Sequence, residues 1–205
     1  DYVEAEQKDL SRNEYDSKVE IMVITKNIDM TLSKLKSWMK PEKVDTSMAG
    51  FPSRNRITYD PLGVVCIIGA WNYPVFTCFE PLVSAIAAGN VALIKPSEVS
   101  PSSSACLRRM IQEGMDTEFF KIVEGDHTIG KHLSTMRFDL IAFTGGSQIG
   151  KLVAVEAARN LVPCVLELGG INPCIVDETA DVDFAAKKIT NGRFINAGQI
   201  CISPD

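Results

Sequence analysis

The sequence contains no apolar run of the roughly 18 to 20 residues that a membrane-spanning helix needs. Its longest apolar stretch, residues 62–70, has the length of a strand. The first residues are charged and polar, which does not fit a secretory signal peptide. We therefore predict a cytoplasmic protein with no membrane segment in this chain. A membrane-associated form is the alternative if a C-terminal tail is missing.

Histidine is scarce, and no two cysteines form a CxxC pair. The two histidines, His127 and His132, are too few and wrongly spaced for a zinc site, so no metal is predicted. Without a secretory signal, the six cysteines indicate reduced thiols rather than disulfides. The net charge of −5 comes from 21 basic and 26 acidic residues. Because the basic residues are scattered, nucleic acid is excluded as an expected partner.

The patterning of the 205 residues predicts an α/β fold. Apolar residues at steps of three and four (Ile21, Ile24, Ile28, Leu32, Leu35, Met39) predict a helix within the first forty residues, which Pro41 ends. Beyond Pro61, short β-branched runs alternate with helical patterns. That alternation is typical of βαβ units in a doubly wound parallel sheet, which here follows an N-terminal helix.

The predicted elements can be given by residue number. Strands are predicted at 63–69, 91–94, 119–123, 139–143 and 164–168, with a sixth at 174–176 and an edge strand at 56–59. Helices are predicted at 79–88, 102–112, 129–134, 148–159 and 184–194. Because such sheets bind ligands at the carboxyl ends of their strands, functional residues are expected in the loops that follow each strand.

A glycine-rich turn with Gly145, Gly146 and Gly150 follows the fourth main strand. It misses the dinucleotide fingerprint GxGxxG at Ser147, and it misses the P-loop pattern at Leu152, where Ser or Thr would hold magnesium. A glycine-rich turn that opens a helix still presents backbone amides suited to a pyrophosphate. A tight turn without a ligand is the alternative.

Three other loops carry polar side chains. Lys95 and Glu98 could contact a ribose, or they could form a solvated ion pair. Asn72 offers an amide donor for an oxyanion, or it could be a turn residue. Glu167 closes the fifth main strand, where burial would raise its pKa and favour a general base. The alternative for Glu167 is a carboxylate paired with a backbone amide.

Cys201 lies in a glycine-rich turn, where it could act as a nucleophile or be an ordinary thiol. The other five cysteines have apolar neighbours, which indicates inert core packing. They are Cys66, Cys78, Cys106, Cys164 and Cys174.

Together, five segments resemble motifs of the aldehyde dehydrogenase superfamily, in that family's order. They are residues 71–74 (WNYP), 95–98 (KPSE), 143–145 (FTG), 167–170 (ELGG) and 198–201 (GQIC). Glu167 and Cys201 are 201 − 167 = 34 residues apart, which matches the family's usual spacing. Residues 61–74 and 201–205 resemble the class 3 and fatty aldehyde dehydrogenase branch.

The resemblance implies NAD(P)-dependent oxidation of an aldehyde to a carboxylic acid on a Rossmann-like fold. Cys201 would attack the carbonyl to give a thiohemiacetal, and Asn72 with the Cys201 amide would hold the oxyanion. After hydride transfer, Glu167 would activate the water that hydrolyses the thioester. A CoA-acylating relative and a non-catalytic nucleotide-binding or structural relative are the alternatives.

The resemblance also implies a cofactor site and a domain organisation. Lys95 and Glu98 would hold the adenosine ribose of NAD or NADP, with Gly145, Gly146, Gly150 and Trp71 as further cofactor-binding residues. Residues 1–169 would form the cofactor-binding domain, and 170–205 would begin a truncated α/β catalytic domain. We expect a fragment that is inactive by itself, a small-molecule aldehyde as substrate, and a full-length homodimer.

Overall fold

The computed structural model describes residues 1–205, and it begins with two helices rather than one. Helix α1 (Tyr2–Leu10) and helix α2 (Glu14–Trp38) are separated by Ser11, which adopts a left-handed backbone with φ of 53°. The side chain of Asn13 caps α2 by accepting from the Asp16 N–H. A helix within the first forty residues is thus confirmed, but the chain turns between two of them.

The buried face of α2 differs from the predicted apolar stripe. Its buried residues are Ser17, Glu20, Ile24 and Thr31, whereas Ile21, Ile28, Leu32 and Met39 are exposed. The reason is that polar side chains of α2 form hydrogen bonds with the helix at Pro74–Ala87. Glu20 accepts the Phe76 N–H at 2.7 Å, and Asn27 donates to Glu80 at 2.8 Å. These hydrogen bonds orient α2, and hydrophobic periodicity does not reveal them.

A small hairpin follows α2. Strand β1 (Glu42–Val44) pairs antiparallel with strand β2 (Asn55–Ile57). The predicted edge strand at 56–59 is therefore present near its expected position. It forms a separate two-stranded sheet and does not join the main one.

The main sheet has five parallel strands: β3 (Val64–Ile68), β4 (Val91–Lys95), β5 (Phe120–Ile122), β6 (Leu140–Gly145) and β7 (Cys164–Leu168). Their spatial order is β5-β4-β3-β6-β7. The chain builds outward from β3 to β5 and then crosses to the other side of β3 for β6. This reversal of strand order is the point where doubly wound sheets bind ligands, and the predicted fold class is confirmed.

Helices cover both faces of the sheet. Helices α3 (Pro74–Ala87) and α4 (Pro101–Gly114) lie on one face together with α1 and α2, and α5 (His127–Ser134) and α6 (Ser147–Arg159) lie on the other. Strand β3 alternates between the two cores: Val65 and Ile67 face the first, and Cys66 and Ile68 face the second. Each such aliphatic side chain contributes about 1.5–3 kcal/mol when it is fully buried.

The segment after β7 contains helix α7 (Val182–Arg193) and a short 3-10 turn (Ile195–Gly198). The predicted sixth strand at 174–176 is wrong, because these residues pair with no neighbouring strand. A bridge between Asn172 and Pro204 and the bond from Cys174 N to Asp205 O connect this stretch to the end of the chain. The boundary between 169 and 170 stays a prediction. None of the helices has both the length and the apolarity that crossing a bilayer requires.

Candidate active site

The register of the main sheet places the ends of its central strands level with one another. Ile68 at the end of β3 is opposite Lys95 on β4 and Phe143 on β6. Next along, Thr144 of β6 is opposite Glu167 of β7. The loops that carry the predicted residues therefore open at one carboxyl edge of the sheet.

Lys95 and Glu98 form an ion pair at this edge. Lys95 is only 3% exposed, and its Nζ donates to Glu98 Oε2 at 2.8 Å and to Pro96 O at 3.0 Å. Partial burial raises the pKa of Glu98, but the hydrogen bond and charge of Lys95 outweigh it and lower that pKa. The pair thus presents an ionised, half-exposed carboxylate on a buried lysine, and it is not a solvated surface pair.

The glycine turn after β6 supports the start of helix α6. A Cβ on Gly145 would lie 2.6 Å from the Phe143 ring, and one on Gly150 would lie 2.6 Å from Leu168 Cδ2. A Cβ on Gly146, by contrast, would meet nothing within 4 Å. Gly146 is the N-cap of α6, and no side chain caps this helix start. Open space over uncapped amides at a helix N-terminus fits a phosphate group of a dinucleotide.

Asn72 is hydrogen-bonded to the turn that carries Cys201. Asn72 Nδ2 donates to Gln199 O at 2.9 Å, although 127 residues separate the two in sequence. The second N–H of this amide and the backbone N–H of Cys201 donate to no atom of the chain. An amide has two N–H donors, so one can orient Asn72 while the other serves a ligand.

The Cys201 turn is also held from its other side. Asn172 Nδ2 donates to Cys201 O at 2.8 Å and to Ser203 O at 2.9 Å. Arg193 adds bonds of 2.9 Å to the Ser203 hydroxyl and to the Asp205 carboxylate. The Cys201 side chain itself is exposed.

The expected burial of Glu167 is wrong. Glu167 is exposed, because β7 directs Cys164, Leu166 and Leu168 toward the core and leaves Val165 and Glu167 on the other face. Burial therefore gives no argument for Glu167 as a base. Trp71, a predicted cofactor-binding residue, has 36% of its surface accessible.

The burial of the cysteines differs in part from what the sequence predicts. Cys66 and Cys78 are buried, and burial raises the pKa of each thiol to about 12. Cys106 is buried as well, and Cys164 is half-buried. Cys174, however, is exposed and lines an open apolar groove beside α7. Apolar sequence neighbours did not bury it, because residues 174–176 form no strand.

Sequence reasoning missed a buried polar cluster behind the site. Arg12 is 3% exposed and contacts Glu6, Glu20, Asn196 and the carbonyl of Asn72. No motif marks Arg12 in the sequence. Only the position of Asn196, five residues before Cys201, could have drawn attention to this region.

Comparison with known proteins identifies the family of the whole chain. The sequence profile described as aldehyde dehydrogenase family matches residues 1–205. The chain belongs to the aldehyde dehydrogenase family. The five motifs read from the sequence and the parallel sheet that presents them are consistent with this membership.

Three relatives illustrate the branch of aldehyde dehydrogenases that the chain resembles. It is 42% identical to 4,4'-diaponeurosporen-aldehyde dehydrogenase of Staphylococcus aureus, over 100% of this chain and 45% of that protein. It is 41% identical to aldehyde dehydrogenase family 3 member H1 of Arabidopsis thaliana, over 99% and 42% respectively. It is 39% identical to the dimeric NADP-preferring aldehyde dehydrogenase of Canis lupus familiaris, over 96% and 44%.

Structural comparison agrees with the sequence comparison. The chain superposes on a solved structure described as the substrate-bound state of Staphylococcus aureus AldH with a TM-score of 0.96 and 41% identity. That match covers 100% of this chain and 45% of the other. The chain thus spans less than half the length of the aldehyde dehydrogenases it matches.

Proposed function

We propose that this aldehyde dehydrogenase chain takes part in oxidising a small-molecule aldehyde to a carboxylic acid with NAD or NADP, and that Cys201 is the nucleophile. The observation that carries the proposal is the hydrogen bond from Asn72 Nδ2 to Gln199 O. It holds an amide donor beside the turn of the exposed thiol, at the carboxyl edge of a doubly wound sheet.

The first step we propose is attack of the Cys201 thiolate on the aldehyde carbon. The new C–S bond forms while the C=O π pair moves onto oxygen. The unused N–H of Asn72 and the backbone N–H of Cys201 donate to that oxyanion. One such donor contributes about 10² to 10³-fold to the rate.

When bound, the oxidised nicotinamide supplies the acceptor for the hydride that leaves the substrate carbon. The resulting thioester on Cys201 is then hydrolysed. In this proposal Glu167 takes a proton from the attacking water, and Cys201 leaves as thiolate. The exposed carboxylate of Glu167 is open to solvent water, and its strand is paired with β6, which ends in the glycine turn.

For the cofactor, we propose that Lys95 and Glu98 bind the adenosine ribose, with Trp71 near this edge. The space above Gly146 at the start of α6 suits the phosphates, and Gly145 and Gly150 keep the turn close to the sheet. The ionised Glu98 disfavours an added 2′-phosphate, whereas the nearby Lys95 favours one. The canine relative is named NADP-preferring, so the proposal includes both NAD and NADP.

The domain and assembly predictions belong to the same proposal. Residues 1–169 form the cofactor-binding domain and 170–205 begin the catalytic domain. In this proposal the full-length protein is a homodimer, and the canine relative is named dimeric. Light scattering coupled to gel filtration tests the dimer, because a monomeric mass at micromolar concentration would contradict it.

A turnover assay tests the function. The full-length protein is mixed with NAD or NADP and a panel of aliphatic and aromatic aldehydes, without CoA. Reduced nicotinamide is followed by absorbance, and the carboxylic acid is identified by mass spectrometry. Acid formation at a rate equal to nicotinamide reduction supports the proposal. Strict dependence on CoA would instead support an acylating enzyme, and cofactor binding without turnover would support a non-catalytic relative.

A further inference from the structure

We propose that Arg12 is a positioning residue that holds the loop of Asn72 against the turn of Cys201. This inference rests on the proposed function. It assigns a role in the site to the junction between α1 and α2, far from the sheet edge in sequence.

The first argument is the placement of the donors of Arg12. Its Nη2 donates to Asn72 O at 2.7 Å, and its Nε donates to Asn196 Oδ1 at 2.9 Å. The guanidinium also lies 4.1 Å from the centroid of the Tyr73 ring. One side chain from the N-terminal helices therefore contacts both segments whose relative position the chemistry requires.

The second argument is that these contacts belong to a closed set of hydrogen bonds. Asn196 Nδ2 donates to Asn72 O at 3.0 Å and to Gln199 O at 3.1 Å. Asn72 Nδ2 in turn donates to Gln199 O at 2.9 Å. The carbonyl of Asn72 thus accepts from Arg12 and Asn196, and the carbonyl of Gln199 accepts from Asn196 and Asn72. Movement of one member disturbs all of them.

The backbone of the Cys201 turn needs such support. Asn196 and Ala197 both adopt left-handed conformations, with φ of 49° and 54°. Two successive non-glycine residues in this region are unfavourable and persist only where surrounding contacts hold them. The side chain of Asn196, 3% exposed and bonded to Arg12, supplies these contacts.

The third argument is how the other side of Arg12 is anchored. Its Nη1 contacts the carboxylates of Glu6 and Glu20, both of which have fully buried side chains. Tyr2 O–H donates to Glu6 at 2.8 Å, and Glu20 accepts the Phe76 N–H at 2.7 Å. The carboxylates are thus fixed to α1, α2 and the start of α3, and they hold the guanidinium in one orientation.

The charges in this cluster explain why Arg12 tolerates burial. A buried guanidinium is stable only when paired and hydrogen-bonded. Burial, with Glu6 close by, raises the pKa of Glu20. The raised pKa means that Glu20 releases its proton less readily than a free glutamate, which limits the excess of negative charge beside Arg12. Because both carboxyl groups contact Nη1, the Nη2 and Nε donors of Arg12 are left for Asn72 and Asn196.

The experiment compares Arg12→Met, Arg12→Lys and Asn196→Asp in the full-length protein carrying Cys174→Ser. Burst rates of nicotinamide reduction are measured per titrated active site, together with the iodoacetamide alkylation rate of Cys201. Misplacement by about an ångström can cost about 10²-fold. We expect Arg12→Met to lower the burst rate by about 10²-fold and to change the alkylation rate of Cys201 severalfold. The KM for the cofactor should stay within about twofold of the parent value.

Arg12→Lys keeps the positive charge and a donor group but lacks the planar guanidinium with its several N–H donors. We therefore expect its burst rate to lie between those of Arg12→Met and the parent protein. Asn196→Asp keeps the acceptor for Arg12 but loses both donations to Asn72 O and Gln199 O. It should slow the burst even if Arg12→Met fails to fold. Arg109→Met is the matched control, since Arg109 forms an exposed ion pair with Asp1.

A purely structural role for Arg12 would lower the melting temperature and leave the burst rate per active site and the Cys201 alkylation rate unchanged. That result, or an unchanged burst in Asn196→Asp, would overturn the inference. If the unmodified protein reduces neither cofactor with any aldehyde of the panel, the proposed function fails instead. The alkylation rates still decide the positioning role in that case, because they do not depend on turnover.

Discussion

Asn72 and Gln199 are joined by a 2.9 Å hydrogen bond from a side-chain amide to a main-chain carbonyl. Asn72 follows β3, at the point where the order of the strands reverses, and Gln199 is two residues before Cys201. The bond therefore connects the loop after β3 of the main sheet to the segment with the proposed nucleophile. It also makes Asn72 the residue whose substitution is most informative.

We expect Asn72→Ala to lower the burst rate of the full-length enzyme by about 10² to 10³-fold, because one oxyanion donor and the tie to Gln199 are lost. Rapid mixing with absorbance detection measures the burst. Asn90→Ala is the matched control. Asn90 is 8% exposed and bonds only Gly63 N and Ala85 O, at the opposite end of the sheet. The control should cost about 1–3 kcal/mol of stability but leave the burst intact. Equal bursts in the two variants would make Asn72 a turn residue.

We expect limiting iodoacetamide to label Cys201 before any other cysteine. Burial raises the pKa of the Cys66 and Cys78 thiols to about 12, which keeps them protonated and shielded at neutral pH. The exposed Cys174 is the real competitor. Peptide mass spectrometry identifies the site, and Cys174→Ser should retain activity while Cys201→Ser abolishes it. Loss of activity that follows Cys174 labelling instead would refute the assignment.

Glu167→Gln should lower steady-state turnover by about 10² to 10⁴-fold while sparing the burst, because the proposed proton transfer follows hydride transfer. Stopped-flow traces resolve the two phases in one experiment. Glu178→Gln, an exposed residue before α7, serves as the control. Burst and steady state falling together would indicate a role in binding or structure for Glu167.

Glu98→Gln should raise the ratio of kcat/KM for NADP to that for NAD by about fivefold to tenfold. An exposed pair of like charges a few ångströms apart costs about 1 kcal/mol, and the variant removes the charge that repels a 2′-phosphate. Initial rates with each cofactor give the ratio. Glu156→Gln, which only affects an ion pair with Arg159 on α6, should leave it unchanged. An unaltered ratio in Glu98→Gln would place the adenosine ribose elsewhere.

Glu20→Gln should flatten the pH dependence of stability. The pKa of Glu20 is raised in the folded state by burial and by Glu6, so the folded protein holds this proton more tightly than the unfolded chain. The contribution of Glu20 to the free energy of unfolding is present below its unfolded-state pKa of about 4.3. It is lost as the pH rises through its folded-state pKa. Urea unfolding of the full-length protein at several pH values between the unfolded and folded pKa of Glu20 gives the slope of the unfolding free energy against pH. A slope identical to that of the parent protein would contradict the raised pKa.

The sequence by itself determined the alternation of elements from residue 61 to residue 168. Strands buried on both faces must be continuously apolar, and the helices between them must be amphipathic, so both are visible locally. The same local signal placed Lys95, Asn72 and the glycine turn at strand ends. A parallel sheet gathers its carboxyl ends at one edge, and hence these residues could be predicted to converge.

Only the tertiary structure decided what depends on contacts between distant residues. Arg12 forms hydrogen bonds with Asn196, 184 positions away, and with Asn72, 60 positions away. Contacts over such separations produce no periodic pattern in the sequence. The same holds for the polar face that α2 buries and for the exposure of Glu167 on β7, the last strand of the sheet. A local pattern reports how apolar a segment is. Which polar groups pair inside the fold is set by the packing of whole elements against one another.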